Sequence, residues 1–208
     1  MRELSSKLTE LENLLRLLSP VKRAALLKSV TELFAENNAR YRPAQIVLFD
    51  RLLNQLVSEA ERDATAEFSR RIAALPSQPI KVVDRLARND DIAIAEPVLM
   101  RASCIDDSTL GEIARTKPQT HLLAVACRAK LSAGIVDLLL ARGDEVVVRY
   151  LANNRGAQIS EKAAAMLIER ARTDETLAIL IRERADFADR LGDTSRAAAT
   201  ALAPAMTA

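Results

Sequence analysis

The sequence of 208 residues is poor in the residues that build enzyme centres and β-structures. It contains 1 histidine, 2 cysteines, 5 glycines and no tryptophan, and aromatic residues make up 3% of the chain. So few aromatic residues and glycines disfavour β-sandwiches and β-barrels. No glycine precedes Gly111, which excludes a phosphate-binding loop or a dinucleotide-binding turn from the first half of the chain.

Charge and hydropathy exclude further classes. The formal net charge is only +2, from 30 Lys+Arg and 28 Asp+Glu, so the chain has neither a strongly basic nucleic-acid tail nor an acidic solvating segment. The apolar runs are a few residues long, which predicts no transmembrane helix. Arg2 and Glu3 are not followed by the apolar stretch of a signal peptide, so we expect a cytoplasmic protein.

The residues that are abundant are typical of α-helices. Alanine, leucine, arginine and glutamate are strong helix formers, and they dominate this sequence. The length suits one domain or slightly more, which can bury a core without disulfides or metals. We therefore predict an all-α protein.

Residues 1–75 are predicted to form a helical cap of about three helices. The first helix carries a leucine seam at alternating spacings of four and three residues. This seam either pairs two copies in a coiled coil or packs on the next two helices of the same chain. Two heptads are shorter than the three or four of most coiled coils, which favours the intramolecular packing and keeps a homodimer as the alternative. The seam consists of Leu4, Leu8, Leu11, Leu15 and Leu18.

Two further helices are predicted in this cap. Ser19 as N-cap and Pro20 at the first helical position begin the second helix. Pro43 begins a third helical stretch that stops by Pro76, and the charged residues 59–63 indicate a break inside it. The apolar face of the second helix is predicted to contain Val21, Ala24, Leu27, Val30 and Phe34.

Residues 76–191 contain an internal repeat. The motif Ala-Arg-x-Asp/Lys begins at residues 87, 114, 141 and 171, in steps of 27, 27 and 30. A second landmark, an apolar residue after a turn-like stretch, keeps nearly the same period. Two landmarks with one period predict an array of units with two short helices each, followed by an Ala-rich tail at 192–208, frayed or disordered. The second landmark comprises Ile80, Ile105, Leu131, Ile159 and Phe187.

The motif has a mechanical interpretation. Its alanines, Ala87, Ala114, Ala141 and Ala171, would allow neighbouring helices to approach, and its arginine would complement the dipole at the helix end. Its acidic residue, at positions 90, 144 and 174, would cap the next helix. The segment EVVVRY at 145–150 has the composition of a strand, but the repeat predicts a helix there.

Energetics favour stacking of these units. Ordering the backbone costs about 1–2 kcal/mol per residue, whereas a buried leucine or valine contributes only about 1.5–3 kcal/mol. A single unit with about half a dozen such residues should therefore not fold alone. The predicted architecture is an α-solenoid, a HEAT-like superhelix with an N-terminal cap.

The repeat region also resembles a known family. The segments RLARNDDIAIAEPVL, LGEIARTKPQTHLLAVA, LARGDEVVVRYLANN and RARTDETLA are similar to those of the bacterial domain-of-unknown-function family 2336. The short-helix units resemble HEAT-like and leucine-rich-repeat-variant proteins more distantly. The resemblance implies a helical repeat fold in a bacterial cytoplasmic protein with a regulatory role. It brings no catalytic residues.

The repeated arginines are the main candidate binding surface. An aligned column of guanidinium groups could bind carboxylates or phosphates in bidentate fashion, or it could be a structural ladder neutralised by the repeats' own acidic groups. Neutralisation is the favoured interpretation of the column. The surface that carries Arg115 and Arg142 is predicted to be the contact face for the partner. The candidate residues are Arg88, Arg115, Arg142 and Arg172 of the motif, with Arg128, Arg149 and His121 nearby.

The remaining polar residues have simple structural interpretations. His121 is a packed or capping histidine rather than a ligand, and Cys104 and Cys127 are too far apart in sequence for a CxxC zinc site. The acidic pairs at 90–91 and 106–107 fall at helix starts, where capping accounts for them. No cofactor or metal is predicted.

These observations predict a non-catalytic protein–protein interaction scaffold with a regulatory role and an unidentified protein partner. No nucleophile elbow, zinc motif or phosphate loop is present in the sequence. The alternative is binding of nucleic acid or a small phosphorylated ligand through the arginine column. Nucleic acid is disfavoured by the small net charge and by the scarcity of aromatic residues for stacking.

Overall fold

The computed structural model describes residues 18–184, which contain eleven α-helices and one 3-10 helix. The chain divides into two compact units, Met1–Ile105 (unit 1) and Asp106–Ala208 (unit 2). Their boundary lies inside the predicted repeat array. Apart from Leu18, the predicted leucine helix lies outside the described residues, as do Phe187 and the predicted tail.

The all-α prediction is confirmed for the described part of the chain. Residues 18–184 contain no β-strand, only an isolated parallel bridge between Leu131 and Ala157. None of the helices in this part is both long enough and apolar enough to cross a lipid bilayer. In unit 1 the helices are α1 (Pro20–Glu36), a 3-10 turn (Asn38–Arg40), α2 (Pro43–Ser58), α3 (Arg62–Ile72), α4 (Ile80–Ala87) and α5 (Ile92–Arg101). In unit 2 they are α6 (Asp107–Thr116), α7 (Gln119–Ala126), α8 (Ala133–Arg142), α9 (Glu145–Asn153), α10 (Glu161–Ala171) and α11 (Glu175–Arg182).

The helix starts follow the predicted capping chemistry closely. The Ser19 side chain accepts a hydrogen bond from the Lys22 N–H, and Pro20 is the first helical residue. Helices α9 and α11 begin directly after Asp144 and Asp174, as the motif predicts, and EVVVRY is helical in α9. In unit 2 the carboxylates of Asp106, Asp144 and Asp174 each accept from the N–H three residues further on, at 2.8–3.0 Å. Each cap satisfies one of the donors that a helix N-terminus leaves without a partner.

Three details of the sequence prediction are wrong. The N-cap of α5 is Asp91 rather than Asp90, and it accepts from the Ala93 N–H at 3.0 Å. Val21 does not belong to the buried face of α1, since it is 79% exposed. Ala141 is exposed, whereas the other three motif alanines are buried. By contrast, the predicted break after residue 58 is present, because α2 ends at Ser58 and α3 begins at Arg62.

Alternate helices pack side by side in unit 1. Helices α1, α3 and α5 form one row and α2 and α4 form a second row, with further contacts between α1 and α2 and between α4 and α5. The core between the rows contains fully buried apolar side chains together with polar groups that have partners. Asp50, for example, accepts from the Lys81 and Val82 N–H groups at 3.1 and 2.9 Å. The largest buried side chains of unit 1 are Leu27, Phe34, Leu53, Leu56, Ile72, Leu86 and Leu99.

Unit 2 has the same arrangement of alternate helices. Helices α7, α9 and α11 pack side by side in a first row, and α6, α8 and α10 do so in a second row. Each helix of the first row also contacts the second-row helix that precedes it in the chain. Within unit 2, therefore, each pair of helices packs on the pair that follows it. The largest buried side chains are Ile113, Leu122, Leu139, Leu140 and Leu151.

Candidate functional site

The ends of the second-row helices of unit 2 are joined by arginine side chains. Arg142, the last residue of α8, donates from Nη1 to the Ala114 carbonyl at 2.6 Å and to the Lys117 carbonyl at 3.4 Å. These acceptors lie at the end of α6. Carbonyls in the last turn of a helix have no partner within the helix and carry partial negative charge. The predicted site residue Arg142 therefore connects the ends of α6 and α8.

The equivalent connection one repeat later uses a residue outside the Ala-Arg motif. Arg170 donates to the Leu140 carbonyl at 2.8 Å and to the Gly143 carbonyl at 3.2 Å, at the end of α8. Both acceptors lie 26 positions after those of Arg142. Arg170 lies 28 positions after Arg142, whereas the motif arginine Arg172 lies 30 positions after it, so the motif arginine is not the one that makes this connection.

First-row helices of unit 2 are connected in an analogous way. The Asn154 amide donates to the carbonyls of Ala126 and Arg128, at the end of α7, at 2.8 and 2.7 Å. Arg184 donates to the carbonyls of Ala152 and Asn154, at the end of α9, at 3.2 and 2.9 Å. The acceptors are again offset by 26 positions. Sequence analysis missed Arg170, Asn154 and Arg184 because neither their residue types nor their spacings repeat.

Three other arginines of the predicted surface form ion pairs. Arg88, in unit 1, pairs with Asp84 of its own helix at 3.0 Å. Arg172 pairs with Glu169 at 3.2 Å, and both side chains are more than 60% exposed. In unit 2 the Arg149 Nε donates to Asp174 at 2.8 Å.

The Arg149–Asp174 pair connects α9 to the N-cap residue of α11. The hydrogen bond from Arg149 lowers the pKa of Asp174, outweighing the opposing effect of burial. The same hydrogen bond raises the pKa of Arg149. The pair therefore holds both groups in their charged forms and adds a third connection between consecutive repeats.

Arg115 differs from the other motif arginines. It lies in the last turn of α6 and is exposed. Its guanidinium lies over Gly111 of the same helix, where an added Cβ would be 3.2 Å from Nη1. Within residues 18–184 it has no ion pair or side-chain hydrogen bond. The predicted column of equivalent arginines is therefore, in unit 2, a set of residues with different environments.

The lone histidine is a core residue. His121 is 1% exposed in α7, and its Nδ1 lies 3.4 Å from the Thr120 hydroxyl. By the repeat register it corresponds to Val147 in α9, which is equally buried. Arg128, just after α7, is half-buried, and its carbonyl accepts from Asn154. Cys104 and Cys127 are both half-buried and are not joined in a disulfide.

A polar cleft of about 360 Å³ lies where α9 and α11 begin in unit 2. The Gln119 side chain, at the start of α7, bridges the corresponding junction between α7 and α9. It donates to the Arg142 carbonyl at 2.9 Å and accepts from the Asp144 N–H at 3.0 Å. The corresponding residue at the cleft is Glu145, whose side chain is 81% exposed. A carboxylate cannot donate to a carbonyl, so this junction stays open. Its polar lining includes Asp144, Glu145, Arg149, Arg170, Thr173 and Asp174.

Exposed large apolar side chains of unit 2 lie on its first row of helices. Among residues 106–184 these are Val146 and Tyr150 on α9 and Ile179 on α11, with exposed fractions of 47, 52 and 48%. Val146 and Tyr150 are four residues apart and so share one face of α9. We call these three residues the apolar face. The second-row helices of the described part of unit 2 carry no comparably exposed large apolar side chain.

Residues 18–184 contain no group of three or more histidine, cysteine, aspartate or glutamate side chains arranged to hold a metal ion.

A family model described as an uncharacterised protein conserved in bacteria (DUF2336) matches residues 94–199. Curated proteins and solved structures give no match to the chain. The matched residues include the helices joined by Arg142, Arg170, Asn154 and Arg184. Because the match covers half of the sequence, this chain belongs to the bacterial DUF2336 family.

Proposed function

We propose that this protein is a non-catalytic protein–protein interaction scaffold whose short two-helix repeats stack as an α-solenoid. The support comes from unit 2, where Arg142 and Arg170 connect the ends of second-row helices and Asn154 and Arg184 connect the ends of first-row helices. The alternate-helix packing of unit 1 supports the extension of this arrangement towards the N-terminus. Stacked helical pairs of this kind present extended surfaces on which other proteins bind.

The apolar face of Val146, Tyr150 and Ile179 is the observation that carries this proposal. Tyrosine is enriched in protein interfaces, and large apolar side chains at the centre of an interface supply much of its binding energy. The flanking charges of the α9–α11 junction, Arg149 and Asp174, are already paired. They would form a polar rim that needs little rearrangement on binding. The expected partner is thus a protein with an apolar contact surface.

Anion binding through the arginines has weaker support. Arg142 donates to carbonyls, while Arg88, Arg149 and Arg172 pair with carboxylates. A phosphorylated ligand would have to replace these partners. Arg115 is the member of the set best placed to contact an anion, but one exposed guanidinium contributes little specificity by itself. A cytoplasmic location and a regulatory role are further parts of the scaffold proposal, and both rest on the family resemblance.

Affinity capture from the lysate of the source organism tests the proposal, with nuclease-treated samples in parallel. The bait variants are Y150A/I179A on the apolar face, I80A as an equally exposed apolar control in unit 1, and R115E. We expect one saturable protein partner that survives nuclease, is lost with Y150A/I179A and is retained with I80A and R115E. Loss with R115E alone would favour the arginine surface, and capture that nuclease abolishes would favour nucleic acid.

A further inference from the structure

The first-row helices of unit 2 turn the same positions outward. Counted from the residue that precedes each helix, positions 3, 4 and 7 are buried in α7, α9 and α11, and positions 2 and 5 are not. Val146 takes position 2 of α9, and Ile179 takes position 5 of α11. Tyr150 follows Val146 by one turn on the same side of α9. Because α9 and α11 pack side by side, the apolar face is one surface that spans two neighbouring helices.

The three first-row helices run in the same direction. Asn154, directly after α9, reaches carbonyls at the end of α7, and Arg184, directly after α11, reaches carbonyls at the end of α9. At the other ends, Gln119 at the start of α7 accepts from the N–H of Asp144, which precedes α9. The surface therefore has an N-terminal edge, where these helices begin, and a C-terminal edge, where they end.

The two edges carry opposite charge. An Asp-Glu pair stands at the start of both α9 and α11, and both glutamates are exposed. Cations that the second row brings to this edge have partners of their own, since Arg142 and Arg170 donate to carbonyls of α6 and α8. The segments that end the first-row helices are rich in cations instead. The acidic edge comprises Asp144, Glu145, Asp174 and Glu175, and the basic edge comprises Arg128, Lys130, Arg155 and Arg182, with Glu183 beside them.

A surface of this kind is its own complement under a two-fold rotation. An axis in the plane of the face, at right angles to the helices, lays each helix antiparallel on its copy. The acidic edge of one subunit then meets the basic edge of the other, and the opposed helix dipoles attract. Tyr150 lies five residues after Glu145 and five before Arg155. An axis at Tyr150 therefore sets Glu145 opposite Arg155 of the partner subunit.

We propose that a second copy of this chain occupies the apolar face, in a symmetric dimer through the first row of unit 2. The proposal rests on the scaffold function and names the partner of its apolar face. Charge complementarity favours this occupant, because any other protein would need basic, apolar and acidic groups in the matching order. Tyr150 lies at the centre, where interface residues supply most of the binding energy. Since few large apolar side chains contribute, the interface is small and we expect micromolar affinity.

Sedimentation equilibrium of the full-length protein over a hundredfold concentration range tests the dimer. We expect a reversible monomer–dimer equilibrium in the native protein and in I80A, whose exposed apolar residue lies in unit 1. Y150A/I179A should remain a monomer throughout, because it loses the centre of the interface. A native protein that is monomeric at every concentration would overturn the proposal. A dimer that Y150A/I179A leaves intact would do the same, because the subunits would then associate elsewhere, as through the leucine seam.

A charge exchange tests which edges meet. E145K and R155E should each weaken the dimer about tenfold, because two repulsive contacts replace two attractive ones. An equimolar mixture of these two variants should recover native affinity as a heterodimer, since every edge then meets one of opposite charge. The matched control is E161K, because Glu161 begins the second-row helix α10 as Glu145 begins α9. Its affinity should equal the native value. No recovery in the mixture, or an equal loss in E161K, would contradict the antiparallel arrangement.

Capture from lysate separates this proposal from the scaffold function itself. A monomeric native protein that retains a different protein through Tyr150 and Ile179 would overturn the second-copy proposal and leave the scaffold function in place. A dimer that Y150A/I179A abolishes, with no other protein captured through this face, would support the second copy as its occupant and contradict a separate partner there.

Discussion

Units 1 and 2 arrange alternate helices alike but satisfy their helix ends differently. In unit 1 the first two helices have 17 and 16 residues, and carboxylates make the main connections. The Asp50 carboxylate accepts hydrogen bonds from N–H groups at the start of α4. Arg62 pairs with Asp91, the N-cap of α5. In unit 2 the helices have 8–11 residues, and the cations of Arg142, Arg170 and Arg184 bind carbonyls at helix ends.

Helix length distinguishes α1 and α2, with 17 and 16 residues, from the helices of unit 2. Every α-helix leaves its last four carbonyls without an intrahelical partner. In α7, with 8 residues, that is half of the helix. Arginine suits these carbonyls because its planar guanidinium carries five N–H donors and can reach two acceptors at once. The short helices of unit 2 therefore depend on side-chain donors from the following helix pair, and the longer helices α1 and α2 depend on such donors less.

The largest expected effect tests whether both units have equally dense cores. Leu53 in α2 and Leu139 in α8 are both 0% exposed. We expect Leu53→Ala and Leu139→Ala each to lower the free energy of unfolding by about 2–5 kcal/mol, from lost burial and the cavity left behind. Urea denaturation gives the values. A loss under about 1 kcal/mol at either site would mean that this unit is loosely packed.

Next in size is the carboxylate connection of unit 1. In Asp50→Asn an amide NH₂ replaces one of the two acceptor oxygens and leaves a buried N–H of Lys81 or Val82 without a partner. We expect a loss of about 1–3 kcal/mol in the free energy of unfolding. Faster amide exchange at the start of α4 should accompany it. An unchanged urea midpoint in Asp50→Asn would show that this connection does not contribute to the free energy of unfolding.

Two arginines on α10 test the guanidinium connections of unit 2. Arg170 binds two carbonyls, whereas Arg172 pairs with Glu169 on the surface. Arg170→Met should cost about 1–2 kcal/mol because carbonyls at the end of α8 lose their donors. Arg172→Met should change the free energy of unfolding by less than about 0.5 kcal/mol. Equal costs for the two variants in urea denaturation would contradict the distinction between them.

The smallest effect concerns pH. Hydrogen bonds from Arg62 and Arg149 lower the pKa values of Asp91 and Asp174 below their usual 3.8. A lowered pKa in the folded state stabilises the fold above the unfolded-state pKa, and this contribution is lost as the pH falls through the folded-state value. We expect the urea concentration at the midpoint of unfolding to decrease when the pH is lowered below about 4. Arg149→Met should make this fall shallower, and an unchanged slope would contradict the role of the pair.

The candidate site was less predictable from the sequence than the helices were. Asp106, Asp144 and Asp174 were found as helix caps because capping is local, within three residues of the chain. Arg170 and Arg184 were missed because their acceptors lie 27 or more positions away in the chain. Arg142 was selected as a binding residue for its periodic spacing, although its side chain binds carbonyls of the preceding repeat. Spacing identified equivalent positions but not their partners.

The sequence by itself determined the all-α class and most helix starts of the described residues. These properties depend on propensity, apolar spacing and capping, which act over one or two turns. Only the tertiary structure decided which arginines connect helix ends and that Val146, Tyr150 and Ile179 are exposed. Such properties depend on which helices become neighbours. A shift of two residues, from Arg172 to Arg170, was enough to separate the motif arginine from the arginine that binds the carbonyls of α8.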